Sequence, residues 1–142
     1  MKTYRAGLDI GSTTVKLVML DENGDIAYGQ YRRHHAKTQS TLAELLREAR
    51  ELVGDCDIQV KITGSGAINL VKSLEIEFIQ EVMAVANALK FYAPQTDVAI
   101  ELGGEDAKIL YFTDGVEERM NGVCAGGTGR GCQGCAWDCG RI

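Results

Sequence analysis

Proline is almost missing from this chain, with Pro94 the single example in 142 residues. Alongside 45% hydrophobic and 25% charged residues, that scarcity excludes a disordered or fibrous chain and implies a packed core. No apolar run approaches the length that crosses a bilayer, and the start lacks the charged, apolar and small-residue succession of a secretory leader. The cytoplasm is therefore the expected compartment, and no membrane partner is expected. Positive charge is also short: the formal net charge is −5, which argues against a nucleic-acid partner gripped by phosphate neutralisation. No glycine-lysine-serine or glycine-lysine-threonine sequence occurs, so a Walker-type phosphate loop is excluded. Of the five cysteines, Cys56 stands alone, while Cys124, Cys132, Cys135 and Cys139 crowd into the last nineteen residues. This is unlike the spread disulfide framework of a secreted domain, and in a reducing compartment it suggests metal or cluster ligation. Cys56, just before a predicted strand, reads as a packing residue.

What the chain does contain is room for one domain, or for one domain and the start of another. Residues 4–10 and 15–20 are apolar, β-branched-rich runs separated by Gly11, Ser12, Thr13 and Thr14, which predicts a hairpin with an unusual tip. Asn23-Gly24 signals a second turn into a strand over about 25–32, so three antiparallel strands are expected to open the protein. The basic stretch Arg32, Arg33, His34, His35 and Lys37 reads as a solvated loop. Its two histidines, neighbours on an extended backbone and without Cys or carboxylate partners, are not expected to bind metal.

Leu42, Leu45, Leu46, Ala49, Leu52 and Val53 stand at helical spacing, with a capping box expected from Thr41 and Glu44 and a stop at Gly54. Ile58, Val60 and Ile62 alternate as a fourth strand that runs into Thr63-Gly64-Ser65-Gly66, followed by a short helix near 67–73. A further helix is expected over 81–92, with Pro94 beyond it. A strand from Asp97 then meets Gly103-Gly104-Glu105-Asp106, a partner strand over 107–112 and a third near 116–120, repeating the design of residues 4–20. The expected organisation is one domain over 1–95, the start of a second over 96–129, and a Cys/Gly-rich tail over 130–142.

Both hairpin tips have the composition that a polyphosphate requires. Gly11 allows close approach to the main chain, Ser12, Thr13 and Thr14 add hydroxyls beside exposed N–H groups, and Lys16 can neutralise charge. Asp9, ending the first strand, suits a magnesium ion held partly through water. Gly103, Gly104, Glu105 and Asp106 form the second tip. Glycine and hydroxyl residues at a single tip more often mean only a turn; two matched tips, each after an acid-terminated strand, favour phosphate.

GLDIGSTTVK at 7–16 and ELGGEDAK at 101–108 resemble the two phosphate loops of the actin, sugar-kinase and heat-shock-chaperone ATPases. TGSG at 63–66 and MNGVCAGGTG at 120–129 narrow the resemblance to the BadF/BadG/BcrA/BcrD-type ATPases, the activators of 2-hydroxyacyl-CoA dehydratases. The resemblance implies an α/β fold: a ribonuclease H-like, actin-like ATPase domain with a mixed sheet, followed by the first hairpins of a second such domain. It also implies catalytic roles for Asp9, Glu105 and Asp106, ATP or ADP on Gly11, Ser12, Thr13, Thr14, Lys16, Gly103 and Gly104, and magnesium at Asp9. Cys124 matches the first ligand of a 4Fe-4S cluster shared across a homodimer. Implied partners are a dehydratase or fused dehydratase-like domains and an electron donor such as ferredoxin or flavodoxin.

Three departures from that pattern carry expectations of their own. Glu105 stands where many stand-alone activators have glutamine, so its water-positioning role rests on a carboxylate. The chain stops at Ile142, before the residues that would cover an adenosine, as expected of a piece cut from something larger. Cys132, Cys135 and Cys139 are spaced compatibly with zinc or iron–sulfur ligation, but they fit no familiar spacing, and a tail without selected chemistry is the favoured expectation. Other readings are a sugar-kinase-like phosphotransferase, which gives Cys124 no task, and a non-enzymatic fragment or metal-binding module. Gly64-Ser65-Gly66 as a dinucleotide fingerprint ranks low, because Asn69 occupies the third glycine position.

Overall fold

The computed structural model describes residues 2–102, 107–112 and 117–120. The chain divides into two compact units, Met1–Val85 and Ala86–Ile142. In the first, β1 (Thr3–Ile10), β2 (Thr14–Leu20) and β3 (Ile26–Arg33) form an antiparallel meander. Helix α1 (Thr38–Val53) leads to β4 (Asp57–Thr63), which pairs parallel to β1. A 3-10 turn (Ser65–Ala67), α2 (Ile68–Leu74) and the short β5 (Glu77–Phe78) follow, giving a mixed sheet of order β3-β2-β1-β4-β5. Helix α3 spans Glu81–Tyr92.

Strand alternation sorts this sheet into two faces. Tyr4, Ala6, Leu8 and Ile10 of β1 stand beside Val15, Leu17 and Met19 of β2 and Ile62 of β4 and are buried together. The α1 residues Leu42, Leu45 and Ala49, three to four apart, pack into the same core. The opposite face carries Asp9, Lys16, Lys61 and Thr63, because their register partners share their parity. One residue of register slip would exchange the two sets.

The expected capping box is not formed. Helix α1 begins at Thr38 with Lys37 as its N-cap and no side-chain cap, and Thr41 is buried within it. The signature failed because α1 starts with a polar turn, Thr38-Gln39-Ser40, that lies ahead of the apolar periodicity. Gly54 does end the helix, with φ +76° and its N–H donating to the Arg50 carbonyl. The basic stretch is a solvated loop only in part, with Arg33, His35 and Lys37 exposed. Arg32 belongs to β3 and grips Glu48 of α1 through two hydrogen bonds of 2.9 and 3.0 Å. That hydrogen-bonded guanidinium holds the Glu48 carboxyl below its usual range, so the pair persists above that range and is lost only as pH falls through the lowered value. His34 is buried, and His35 and Ala36 have left-handed φ values of +46° and +63°; the backbone there is not extended as expected.

The second unit holds an antiparallel sheet of β6 (Val98–Leu102), β7 (Ala107–Tyr111) and β8 (Glu117–Met120), in that order. Leu110 is fully buried and the Phe112 N–H donates to the Asp97 carbonyl across the sheet's end. Among the described residues, no helix is long and apolar enough to cross a membrane.

Leu45 is 0% exposed and its neighbour Leu46 is 47% exposed, which makes a matched test of the α1 stripe. Leu45→Ala is expected to lower the unfolding free energy by about 3 kcal/mol through lost burial and a residual cavity. Leu46→Ala should cost less than about 1 kcal/mol, both read from urea midpoints.

Candidate functional site

The β1–β2 hairpin closes with Asp9 opposite Lys16 and Ile10 opposite Val15, leaving Gly11, Ser12 and Thr13 as its tip. Three carbonyls of this turn are tied back into the protein. Gly11 N–H donates to the Thr14 carbonyl at 2.9 Å, and His34 N–H donates to the Thr13 carbonyl at 3.1 Å. The His34 ring lies with Nε2 3.3 Å from the Gly11 carbonyl. With the carbonyls committed inward, no described residue takes the N–H groups of Ser12 and Thr13, which is the polarity an anion requires. Thr14 is buried at 6% exposure, so Ser12 and Thr13 carry the accessible hydroxyls of the four residues proposed from sequence.

On the polar sheet face, Lys16 Nζ donates to Asp9 Oδ2 at 2.6 Å and lies 5.8 Å from the centre of the Tyr31 ring. Partial burial alone would lower the Lys16 pKa, but the hydrogen bond and charge of Asp9 outweigh it and hold the ammonium above its usual value. Lys16 therefore stays cationic through the neutral range. The other carboxylate oxygen, Oδ1, is buried without a hydrogen-bond partner among the described residues, as is the Thr63 hydroxyl in the register position beside Asp9. Buried polar atoms are rarely left unmatched, so this pair marks a place for a polar guest.

The TGSG segment explains how Oδ1 is reached. Gly64 has φ +96°, and a Cβ there would strike the Ile10 carbonyl oxygen and stand 2.6 Å from Asp9 Oδ1. A Cβ on Gly66 would be 2.9 Å from Ile10 Cγ2 and 3.1 Å from the Ile10 carbonyl oxygen. The backbone of residues 64–66 thus lies directly on the end of β1, and only glycine permits the approach. Among the described residues, no three His, Cys, Asp or Glu side chains converge to hold a metal. The donor set of one carboxylate and one hydroxyl fits magnesium, which keeps several waters and takes few protein ligands.

Gly103, Gly104, Glu105, Asp106 and Cys124, with Cys132, Cys135 and Cys139, lie outside the described residues. The strands flanking the second tip are described, and they set Glu101 opposite Lys108, the same acid-to-lysine register as Asp9 and Lys16. From sequence, Glu101 entered only as the acid ending its strand, and Lys108 was not singled out. Aligning DIGSTTVK with ELGGEDAK would have found both, since acid and lysine sit seven apart in each. His34 was missed as well.

A mixed sheet of this order, with its phosphate-type tip after β1, has the actin-like ATPase fold. The activator of the 2-hydroxyisocaproyl-CoA dehydratase from Clostridium difficile, solved with bound ADPNP, superposes with a TM-score of 0.74 at 32% identity, over 89% of this chain and 48% of that one. The chain matches the BadF/BadG/BcrA/BcrD ATPase family over residues 6–137 and belongs to it. Its relatives include the 2-hydroxyisocaproyl-CoA dehydratase activator of Clostridioides difficile, 34% identical over 89% of this chain and 49% of the relative. The (R)-2-hydroxyglutaryl-CoA dehydratase activating ATPase of Acidaminococcus fermentans is 27% identical over 92% of this chain and 51% of the relative. The chain spans about half the length of the curated relatives it matches.

Gly54 and Gly64 both have positive φ, but nothing lies within 4 Å of a Cβ built on Gly54. Replacing either by alanine should cost about 1–3 kcal/mol of backbone strain. Gly64→Ala should lose roughly 1–3 kcal/mol more by overpacking against Ile10 and Asp9, measured as the difference between the two urea midpoints.

Proposed function

We propose that the chain supplies the phosphate-gripping part of an ATP-dependent activator, which couples ATP hydrolysis to electron transfer from a 4Fe-4S cluster to a 2-hydroxyacyl-CoA dehydratase. The observation that carries the reading is the tip of the β1–β2 hairpin, with carbonyls tied inward and the Ser12 and Thr13 N–H groups untaken beside Lys16. Family membership and the ADPNP-bound neighbour support it. In this reading the domains run over 1–95 and 96–129, and Gly103, Gly104, Glu105 and Asp106 supply the second half of the grip. Glu105 orients the attacking water.

Lys16 would exchange its bond to Asp9 for a phosphate oxygen, and Asp9 Oδ1 and the Thr63 hydroxyl are the groups that would hold a magnesium ion. Magnesium there would supply the charge neutralisation that phosphoryl transfer needs more than covalent help. Gly11 keeps the main chain open to the nucleotide. Cys124 is the residue that would ligate the cluster, shared with a second copy of the chain, and a ferredoxin or flavodoxin would reload it. The relatives' activation of dehydratases supports a dehydratase partner.

Calorimetric titration of ADPNP with and without magnesium tests the grip. Asp9→Asn should abolish the magnesium-dependent part of binding; equal isotherms for the two proteins would overturn the assignment. Iron analysis of anaerobically purified protein tests the cluster separately. Cys124→Ser is expected to lose bound iron, and unchanged iron would rule Cys124 out as a ligand.

A further inference from the structure

The phosphate tip is held from two sides, and one of them is a histidine to which family resemblance assigns no role. We propose that His34 is the positioning residue of the first phosphate loop: its imidazole fixes the Gly11 peptide and thereby aims the Ser12 N–H group at the ligand. This inference rests on reading Gly11–Thr14 as a phosphate grip.

The tautomer follows from the contacts. A carbonyl can only accept, so His34 Nε2, 3.3 Å from the Gly11 oxygen, carries the proton. Nδ1 then accepts from the Thr38 hydroxyl at 3.3 Å. Thr38 opens α1, so the ring bridges the loop to the helix N-terminus. The main chain of the same residue makes a second tie, donating from N–H to the Thr13 carbonyl at 3.1 Å. One residue thus binds the carbonyls on either side of Ser12. In a trans peptide the N–H points opposite its own C=O, so the inward Gly11 carbonyl turns the Ser12 N–H outward.

Backbone strain at the adjoining turn is an independent sign that this placement matters. The Lys37 N–H donates to the His34 carbonyl at 2.7 Å, closing a turn through His35 and Ala36, both left-handed. Alanine has no side-chain hydrogen bond to offset that conformation, which costs about 1–3 kcal/mol per residue and persists only where the surroundings over-determine it. His34 itself is 7% exposed, so solvent does not replace its contacts.

Three substitutions in the full 142-residue chain test the role. Glutamine places an amide N–H near the position of Nε2, asparagine near that of Nδ1, and leucine supplies neither. His34→Leu and His34→Asn should bind magnesium–ADPNP about tenfold more weakly by calorimetry, whereas His34→Gln should stay within about twofold of the parent. Amide exchange at Gly11, whose N–H is held by the Thr14 carbonyl, should rise in the first two variants only. Parent-like affinity in His34→Leu would overturn the inference and leave the phosphate site standing. Weakening in all three variants in proportion to their loss of melting temperature would reduce His34 to a packing residue. A parent chain that binds no nucleotide would remove the phosphate reading and this inference with it.

Discussion

The site depends on a backbone-to-backbone approach: Gly64 lies so close to the end of β1 that even a methyl group would strike the Ile10 carbonyl. Parallel pairing of β1 with β4, Asp9 beside Thr63, brings the two strand ends level, and the left-handed Gly64 turns the chain immediately across them. That crossing buries one oxygen of Asp9 and the Thr63 hydroxyl while antiparallel pairing with β2 supplies Lys16 on the other side. Charge, orphaned polar atoms and a bare main chain are thus assembled by sheet register. Ligands of open α/β sheets sit where strands end in this way.

Much of this was legible in the residues. Alternation in β1, β2 and β4, the Asn23-Gly24 turn and the helical stripe through Leu42, Leu45 and Ala49 each have a short-range physical cause, and each element formed where its pattern lay. Asp9, Gly11 and Lys16 could be nominated because a hairpin tip of small residues between strands is unusual. What escaped depends on tertiary placement. Glu44 follows Thr41 at capping-box spacing, yet the helix had already begun; a local signature cannot see a polar turn added ahead of it. His34 was counted with its basic neighbours, although it shares the parity of the buried Tyr28 and of Arg32, which reaches α1. Two-residue periodicity continued past the strand's end would have turned it toward the helix.

Family membership and local geometry inform different parts of the conclusion. The match over residues 6–137 establishes kinship and fold. It does not bear on the polarity of this tip, where the Gly11, Thr13 and Thr14 carbonyls are engaged and no described residue takes the Ser12 and Thr13 N–H groups. Conversely, the β1–β2 hairpin says nothing about an electron or a dehydratase. Dehydratase activation is named for relatives about twice as long, and the electron belongs to the proposed reading of Cys124.

The matching registers of the two hairpins constrain loop length as tightly as loop composition. Asp9 faces Lys16, and Glu101 faces Lys108, so each acid and its lysine bracket the same number of residues. Removing one residue from the first tip while the loop keeps its length would slip the register, bring Leu17 opposite Asp9 and shift the ammonium onto the apolar side of the sheet, toward α1. A lone charge there would be expelled or would open the core. A single-residue deletion at this tip must therefore be absorbed by a shorter loop, because pleat geometry excludes the slipped register before any ligand is considered.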